Sequence, residues 1–497
     1  MARSIPALAF LLVLAGPATA QEAQHNHPAP ERLGAVHFDN SCAPSVSAAF
    51  DRAVALLHSF AYDVADQGFA DVAARDPTCA MAYWGRAMTH YHQLWSPPTA
   101  PELTAGAAEV DKAVALVAGT QRERALIAAL ATYYADADHS PPAVRALRYS
   151  DAMATIAQDN RGDDEIQVLY ALSLIATAPP ADRVHARQKR AADILEPIWK
   201  RRPQHPGVPH YLIHTYDSAE LAQQGLRAAR AYAGIAPSAP HALHMPSHIF
   251  TRLGLWDDSI SSNLAARAAA QAQGGVGEEL HAMDYLTYAY LQLGRTADAT
   301  GIVASLQAIG DLEAGVFKIG YPSNAMRVRL AVESQDWAAS AQLTPLTGSA
   351  PEVAALVWWA RALGQLRRMP AGSADGDILQ LRACRDALRA SGDAYWAAQT
   401  DALLKSAEGW RAASMGEAGL AVTAVTAAAD QEDALEKLPV TPGPIVPARE
   451  QLGELFLSLN RPAEALSAFN AALVLAPGRR GALQGAAEAR RRLVSRR

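Results

Sequence analysis

Two histidine pairs stand 34 residues apart: His210 and His214 in HYLIH, and His244 and His248 in HMPSH. Each pair is spaced i, i+4, so on a helix both rings project from one face. Neutral imidazole is the commonest protein ligand for a transition metal, and this spacing lets one helix supply two nitrogens. Asp217, close behind His214, could add an oxygen or orient a ring from behind. His210, His214, His244, His248 and Asp217 therefore form a candidate site for zinc or copper, with iron less suited. Two other readings of these residues stay open. One is a metal-free polar groove in which protonated histidines meet an anionic ligand. The other is packing residues copied by duplication. Pro246 in HMPSH fits best in a first helical turn, which predicts a helix starting there, with His244 beside unpaired backbone N–H groups.

The elements that must position these rings follow from the same register. A fixed period of 34 is the mark of stacked helical hairpins, in which equivalent positions share one wall. Seven of the fifteen histidines (His205, His210, His214, His241, His244, His248 and His281) fall between 205 and 281, so the wall is concentrated in one stretch. Three hairpins divide that stretch, beginning at HYLIHTYD, at HALHMPSH and at HAMDYLTY, the second turning at Gly254. Each opens with a histidine-bearing first helix.

The repeat is clearest in AREQLGELFLSLNRPAEALSAFNAALVLAPGR, through Leu452, Gly453, Phe456, Ala465, Phe469, Ala472 and Pro477. This unit resembles a tetratricopeptide repeat (TPR), with Arg449 where an aromatic is usual and Asn460 where the turn glycine is usual. The resemblance implies an all-α superhelical solenoid of TPR-like helix–turn–helix hairpins whose first helices line a concave groove. The histidine pairs then face that groove, and His241, His281, Asp284 and Tyr288 extend the row as ligand-binding residues. Several phrases (DPTCAMAYWGRAM, HPGVPHYLIHTYD, HALHMPSHIFTRLGLW, PVTPGPIVPARE) also resemble a group of secreted bacterial TPR-like proteins. That second likeness implies a fold and an exported location, and attaches no reaction.

Arg3, an apolar run over 5–15 and Ala18-Thr19-Ala20 read as a signal peptide over residues 1–20, which places the protein in a periplasm or outside the cell. Residues 21–45 read as a flexible lead, 46–366 as the solenoid with the histidines, 367–377 as a linker, and 378–497 as further TPR-like helices with a Pro-rich loop at 438–447. That loop is too stiff to be helical, and the expectation is that it runs along the solenoid rather than serving as a plain connector. Of three cysteines, Cys42 and Cys79 are the plausible pair, although three pairings are possible. Glu123, Glu165 and Glu450 read as ordinary helix-face or first-turn acids.

A net charge of −6 with no basic stripe excludes a nucleic-acid reader, and no apolar run is long enough to span a membrane. No P-loop, GxGxxG or HExxH motif occurs, so no nucleotide is expected; without CxxCH, covalent haem is excluded. The expected function is an exported binding or scaffold protein whose groove takes a peptide, protein or small molecule, with a transition metal in the site. The alternatives are a hydrolytic or oxidative metal-dependent enzyme using the same histidines, and a purely structural envelope protein.

Overall fold

The computed structural model describes residues 31–94, 97–116, 119–310, 312–368 and 374–495. The signal-peptide expectation for 1–20 lies outside the described residues, as do residues 369–373 of the linker at 367–377. Among the described residues every regular element is helical and none is a strand. No helix among them is long and apolar enough to cross a membrane.

The chain is an all-α solenoid of TPR-like helical hairpins. Each helix packs on the next, and first helices of successive hairpins also touch, as Val276–Gln292 does with Phe317–Glu333. Small residues set the closeness. The Phe469 ring is wedged against Gly453 and Gly485, and Ala465 and Ala472 are fully buried beside it. The helices start where the sequence gives a cap: Thr99 with Glu102, and Thr120 with Glu123, form reciprocal capping boxes. Asn460 takes the left-handed turn at φ 60°, which an asparagine tolerates. Gly254 turns at φ +70°, and the face a side chain would occupy is filled by the Pro477 carbonyl. The Trp256 indole donates to the Gly478 carbonyl nearby. The C-terminal hairpin thus folds back onto the histidine-bearing middle, so the solenoid wall closes on itself.

Two segments depart from expectation, and a third, the Pro-rich loop, meets it. Residues 32–45 are packed, not flexible. Phe38 is buried between Phe50 and Trp84, the Ala35 amide donates to the Gln204 carbonyl, and Ser41 holds Glu123. The apolar spacing of Leu33 and Phe38 overrides the polar composition. The 367–377 stretch separates no domains: Pro351–Leu366 and Asp375–Ala390 pack on each other within one compact unit spanning Arg32–Arg497. The Pro-rich segment crosses the interior as a strap. Its neighbour Glu436 donates its amide to the Pro180 carbonyl, while Tyr285 donates to the carbonyls of Pro439 and Thr441. Arg329 holds the carbonyls of Gly443 and Pro444. The groove that the repeat resemblance implied is therefore filled by the chain itself.

Cys42 and Cys79 form a disulfide with Cα atoms 4.7 Å apart. It closes a loop of 37 residues, a length for which the chain-entropy argument gives roughly 4 kcal/mol of stabilisation. Cys42→Ser/Cys79→Ser is expected to lower the urea midpoint accordingly and to open residues 32–43 to protease. An unchanged midpoint would show that Phe38 packing alone holds the segment.

Candidate metal centre

Three neighbouring first helices carry the histidines. Gly207–Tyr216 supplies His210 and His214, and Val276–Gln292 supplies His281. Between them lie two short pieces, Pro240–His244 and Pro246–Arg252, supplying His241, His244 and His248. A helix begins at Pro246, as its ring suggested, after a break at Met245. His244 closes the preceding short piece, just before that start. The i, i+4 geometry survives the break.

The rings gather into two nests. In one, nitrogens of His210, His214 and His241 lie within 4.8 Å of one another; in the other, those of His244, His248 and His281 do. Each nest follows one rule: an HxxxH pair from one first helix plus a third histidine from the next. The third ligand follows the pair's first histidine by 31 residues in one nest and 37 in the other. The longer second helix, Trp256–Gln273 with 18 residues against Ala222–Ile235 with 14, takes up most of the difference. The nests adjoin, with ring centroids of His214 and His248 5.8 Å apart and those of His241 and His244 6.0 Å apart.

Inside each pair the Nε2 atoms face each other, at 3.2 Å for His210 and His214 and 3.0 Å for His244 and His248. The Nδ1 atoms point outward to acceptors. His210 Nδ1 donates to the His58 carbonyl at 2.6 Å, and His248 Nδ1 to Asp217 at 2.9 Å. His244 Nδ1 donates to Asn263 Oδ1 at 2.6 Å, the Asn263 amide group being turned to donate to the Ser259 carbonyl. His241 Nδ1 donates to Glu278 at 3.3 Å. Carbonyls and carboxylates only accept, so all four rings carry a proton on Nδ1, and His210, His244 and His248, neutral by burial, present a lone pair at Nε2. For His244 and His248 both Nε2 atoms are then acceptors, set 3.0 Å apart in a dry interior. Two nitrogens bound to one metal at 2.0–2.1 Å stand roughly 2.9–3.4 Å apart between square-planar and tetrahedral angles. The measured separations fall in that window.

The surroundings favour the neutral form of His210, His214, His244, His248 and His281. All six side chains are buried, His214 being the most open at 6 %. Burial, and then the neighbouring histidines, push His210, His214, His244 and His281 well below the ordinary histidine range. Burial pulls His248 down to about 4 even with Asp217 behind it. Phe60 packs edge-on to His210 and Tyr232 stacks on it; Tyr285 stands edge-on to His244.

Asp217 is not directed into either nest. Its oxygens are taken by His248, Arg252 and Lys437, so it orients a ring from behind, the second of the two roles its position suggested. Burial alone would raise its carboxyl, but Lys437, Arg252 and His248 together hold it well below the usual range. Asp284 and Tyr288 do not extend the histidine row. Asp284 pairs with Arg329 at 2.9 Å, and Tyr288 lies under the strap between Arg329 and Arg479.

Several supporting residues carried no motif in the sequence. Glu165 is no first-turn surface acid: it bridges His58 and His205 at 3.0 and 2.8 Å, thereby fixing the turn whose carbonyl holds His210. The close approach of Gly207 to that ring is obligatory, since a Cβ there would lie 2.6 Å from His58 Nδ1. Glu123 and Glu450 are likewise buried and partnered, by Ser41 and Thr120 and by Arg479. Asn263 and Glu278 sit on helices whose pattern gave no hint of an inward polar group. His214 Nδ1 is the one outward nitrogen of the two pairs with no protein partner. It borders a cleft of about 330 Å³ walled by Tyr91, Tyr133, Ile175, Pro179 and Leu438.

No protein-family model and no curated protein matches the chain. Among solved structures it is similar to the APC/C hetero-tetramer Cut9-Hcn1, at 11 % identity, covering 93 % of this chain and 78 % of that one with a TM-score of 0.37. It is similar to the P58(IPK) TPR domain at 12 % identity, covering 91 % and 99 % with a TM-score of 0.23. The human IFIT1 dimer with m7Gppp-AAAA gives 11 % identity, 83 % and 90 % coverage, and a TM-score of 0.38. Superpositions this loose leave the reading of the site to its own residues.

Proposed function

We propose that this is an exported metalloprotein whose solenoid holds a transition metal in the buried histidine nests and brings a small molecule to it through the cleft beside His214. One observation carries the reading. His244 and His248 have both Nδ1 protons committed to acceptors, leaving two Nε2 lone pairs face to face at 3.0 Å. Without a cation between them that arrangement is repulsive, and a proton there would make a buried imidazolium. Three imidazoles leave a coordination position open, which supports a catalytic rather than a closed structural site. The largely apolar, aromatic cleft supports a small organic ligand. Peptide capture in the concave groove is less well supported, because the strap already occupies it. Contact with an anion by charged histidines is disfavoured, because burial keeps the rings neutral. The Cys42–Cys79 bridge supports export to an oxidising compartment.

The test is the metal content of untagged protein by inductively coupled plasma mass spectrometry, beside His210→Ala/His244→Ala. Near-stoichiometric metal in the parent and loss of at least tenfold in the variant are expected. No metal in the parent after reloading with zinc, copper and iron would overturn the reading.

A further inference from the structure

We infer that the two nests form one dinuclear centre that binds a pair of copper ions sharing a bridging oxygen ligand. The inference rests on the metal-binding reading above and deepens it. Its grounds are the equivalence of the nests, their spacing and their donor set.

Among the described residues each nest gathers three imidazoles and no carboxylate or thiolate. The nearest acids stand behind the rings: Asp217 behind His248, Glu278 behind His241. Asp284, although one turn from His281, gives Oδ1 to Arg329 and is not among the gathered donor residues. A six-nitrogen, carboxylate-free set does not suit magnesium, calcium or manganese, and it lacks the carboxylate of the common non-haem iron triad. Among metals that accept imidazole, copper(II) binds tightest in the divalent order, and three neutral nitrogens also accommodate copper(I).

The spacing makes one centre of two nests. Rings of different nests approach to 5.8 and 6.0 Å, close to the 4.9 Å of His210 and His214 and the 5.0 Å of His244 and His248 within nests. Paired metals that work together sit about 3.5–4 Å apart. Three-coordinate ions held side by side each keep a position free, and a water or hydroxide shared between them would fill both. Among the described residues no carboxylate joins either nest's donor set, so the bridge would come from solvent or substrate. The phenol of Tyr285, 3.4 Å from His248 Nε2 and hydrogen-bonded to strap carbonyls, borders this space. The two ions would bring more positive charge than Asp217 can offset, since Arg252 and Lys437 already neutralise it. An anionic bridge is the remedy that the site leaves available.

The experiment uses full-length protein loaded with copper(II), with bound metal counted by mass spectrometry and spins by electron paramagnetic resonance. About two equivalents with less than roughly a tenth of the copper visible as spins is the expected result, because two copper(II) ions joined by one oxygen couple antiferromagnetically. His241→Gln and His281→Gln should each leave one tightly held ion and bring back the spin signal of an isolated copper(II). These variants keep a polar side chain, and the parent measurement stands even if one fails to fold. One equivalent in the parent, fully visible, overturns the pair and leaves the metal-binding reading standing. Two equivalents with full spin intensity overturn the shared bridge. No bound metal of any kind overturns both.

Discussion

Asp217→Ala should unfold the protein more readily by about 3–5 kcal/mol and weaken metal binding by at least tenfold. Its side chain is 4 % exposed and meets three partners: Lys437 Nζ at 2.8 Å, Arg252 Nε at 2.8 Å and His248 Nδ1 at 2.9 Å. Removing the carboxylate strands the Lys437 ammonium in the interior and takes one of two acids from Arg252. Lys437 can relieve this by shedding its proton, since burial already brings its ammonium down to about 8. Arg252 keeps Glu436 at 3.0 Å, so the stranded or deprotonated Lys437 amine sets the cost. The loss of metal affinity has a separate cause. Without Asp217, nothing holds the His248 proton on Nδ1, and the ring can turn its N–H toward the metal. Urea unfolding of the apo-protein measures the first effect and competition against a chelator the second. Asp217→Ala/Lys437→Met separates them: stability should largely return because the unpaired ammonium is gone, while affinity stays low. If affinity returned with stability, Asp217 would be acting on the fold and not on the ring.

The fold was legible because its signals are local. Helix caps, Pro477 and the small residues at Gly453 and Ala465 each specify a piece of a hairpin, and hairpins stack only one way. The histidine pairs were legible for the same reason, since i, i+4 spacing and a 34-residue register lie along the chain. The grouping was not. Read by register, four histidines converge on one point. The structure instead pairs each HxxxH with a third ring from the following first helix, His241 or His281, whose offsets of 31 and 37 residues obscure the rule. The acids were misread by a consistent error. Glu123, Glu165 and Glu450 occupy first helical turns, where a carboxylate suits the dipole and ordinarily faces water. Here each turn is covered by a distant segment: Ser41 over Glu123, His58 and His205 over Glu165, and Arg479 over Glu450. Contacts made across 82, 107 and 29 residues leave no mark on local pattern. The strap was legible as stiff and as running along the solenoid, but its partners were not, because they are single side chains on other helices.

Those ligands make the second large effect. Arg479→Met is expected to cost about 3–5 kcal/mol at neutral pH, and less as the pH falls toward 5. The guanidinium is fully buried and donates to both oxygens of Glu450, at 2.8 and 3.1 Å, and to Glu333 at 2.8 Å. It also donates to the Ile445 carbonyl of the strap at 3.4 Å. Without it, two carboxylates face each other in the interior with no cation between them. Burial already raises the Glu333 carboxyl above its ordinary value, with Arg479 the chief counterweight and Glu450 pushing it further up. Deleting Arg479 removes the counterweight, so the folded state binds a proton that the unfolded chain releases above its ordinary carboxylate pKa of about 4.3. Stability from such a group is present below that value and is lost as pH rises through the folded one. The variant should therefore gain stability relative to the parent on acidification from pH 8 to pH 5. Adding Glu450→Gln should flatten that slope, because one acid is then gone. Urea midpoints for parent, single and double variants at the two pH values measure both effects. A single variant whose deficit is the same at pH 5 and pH 8 would show that the strap contact, and not the stranded acid pair, carries the loss.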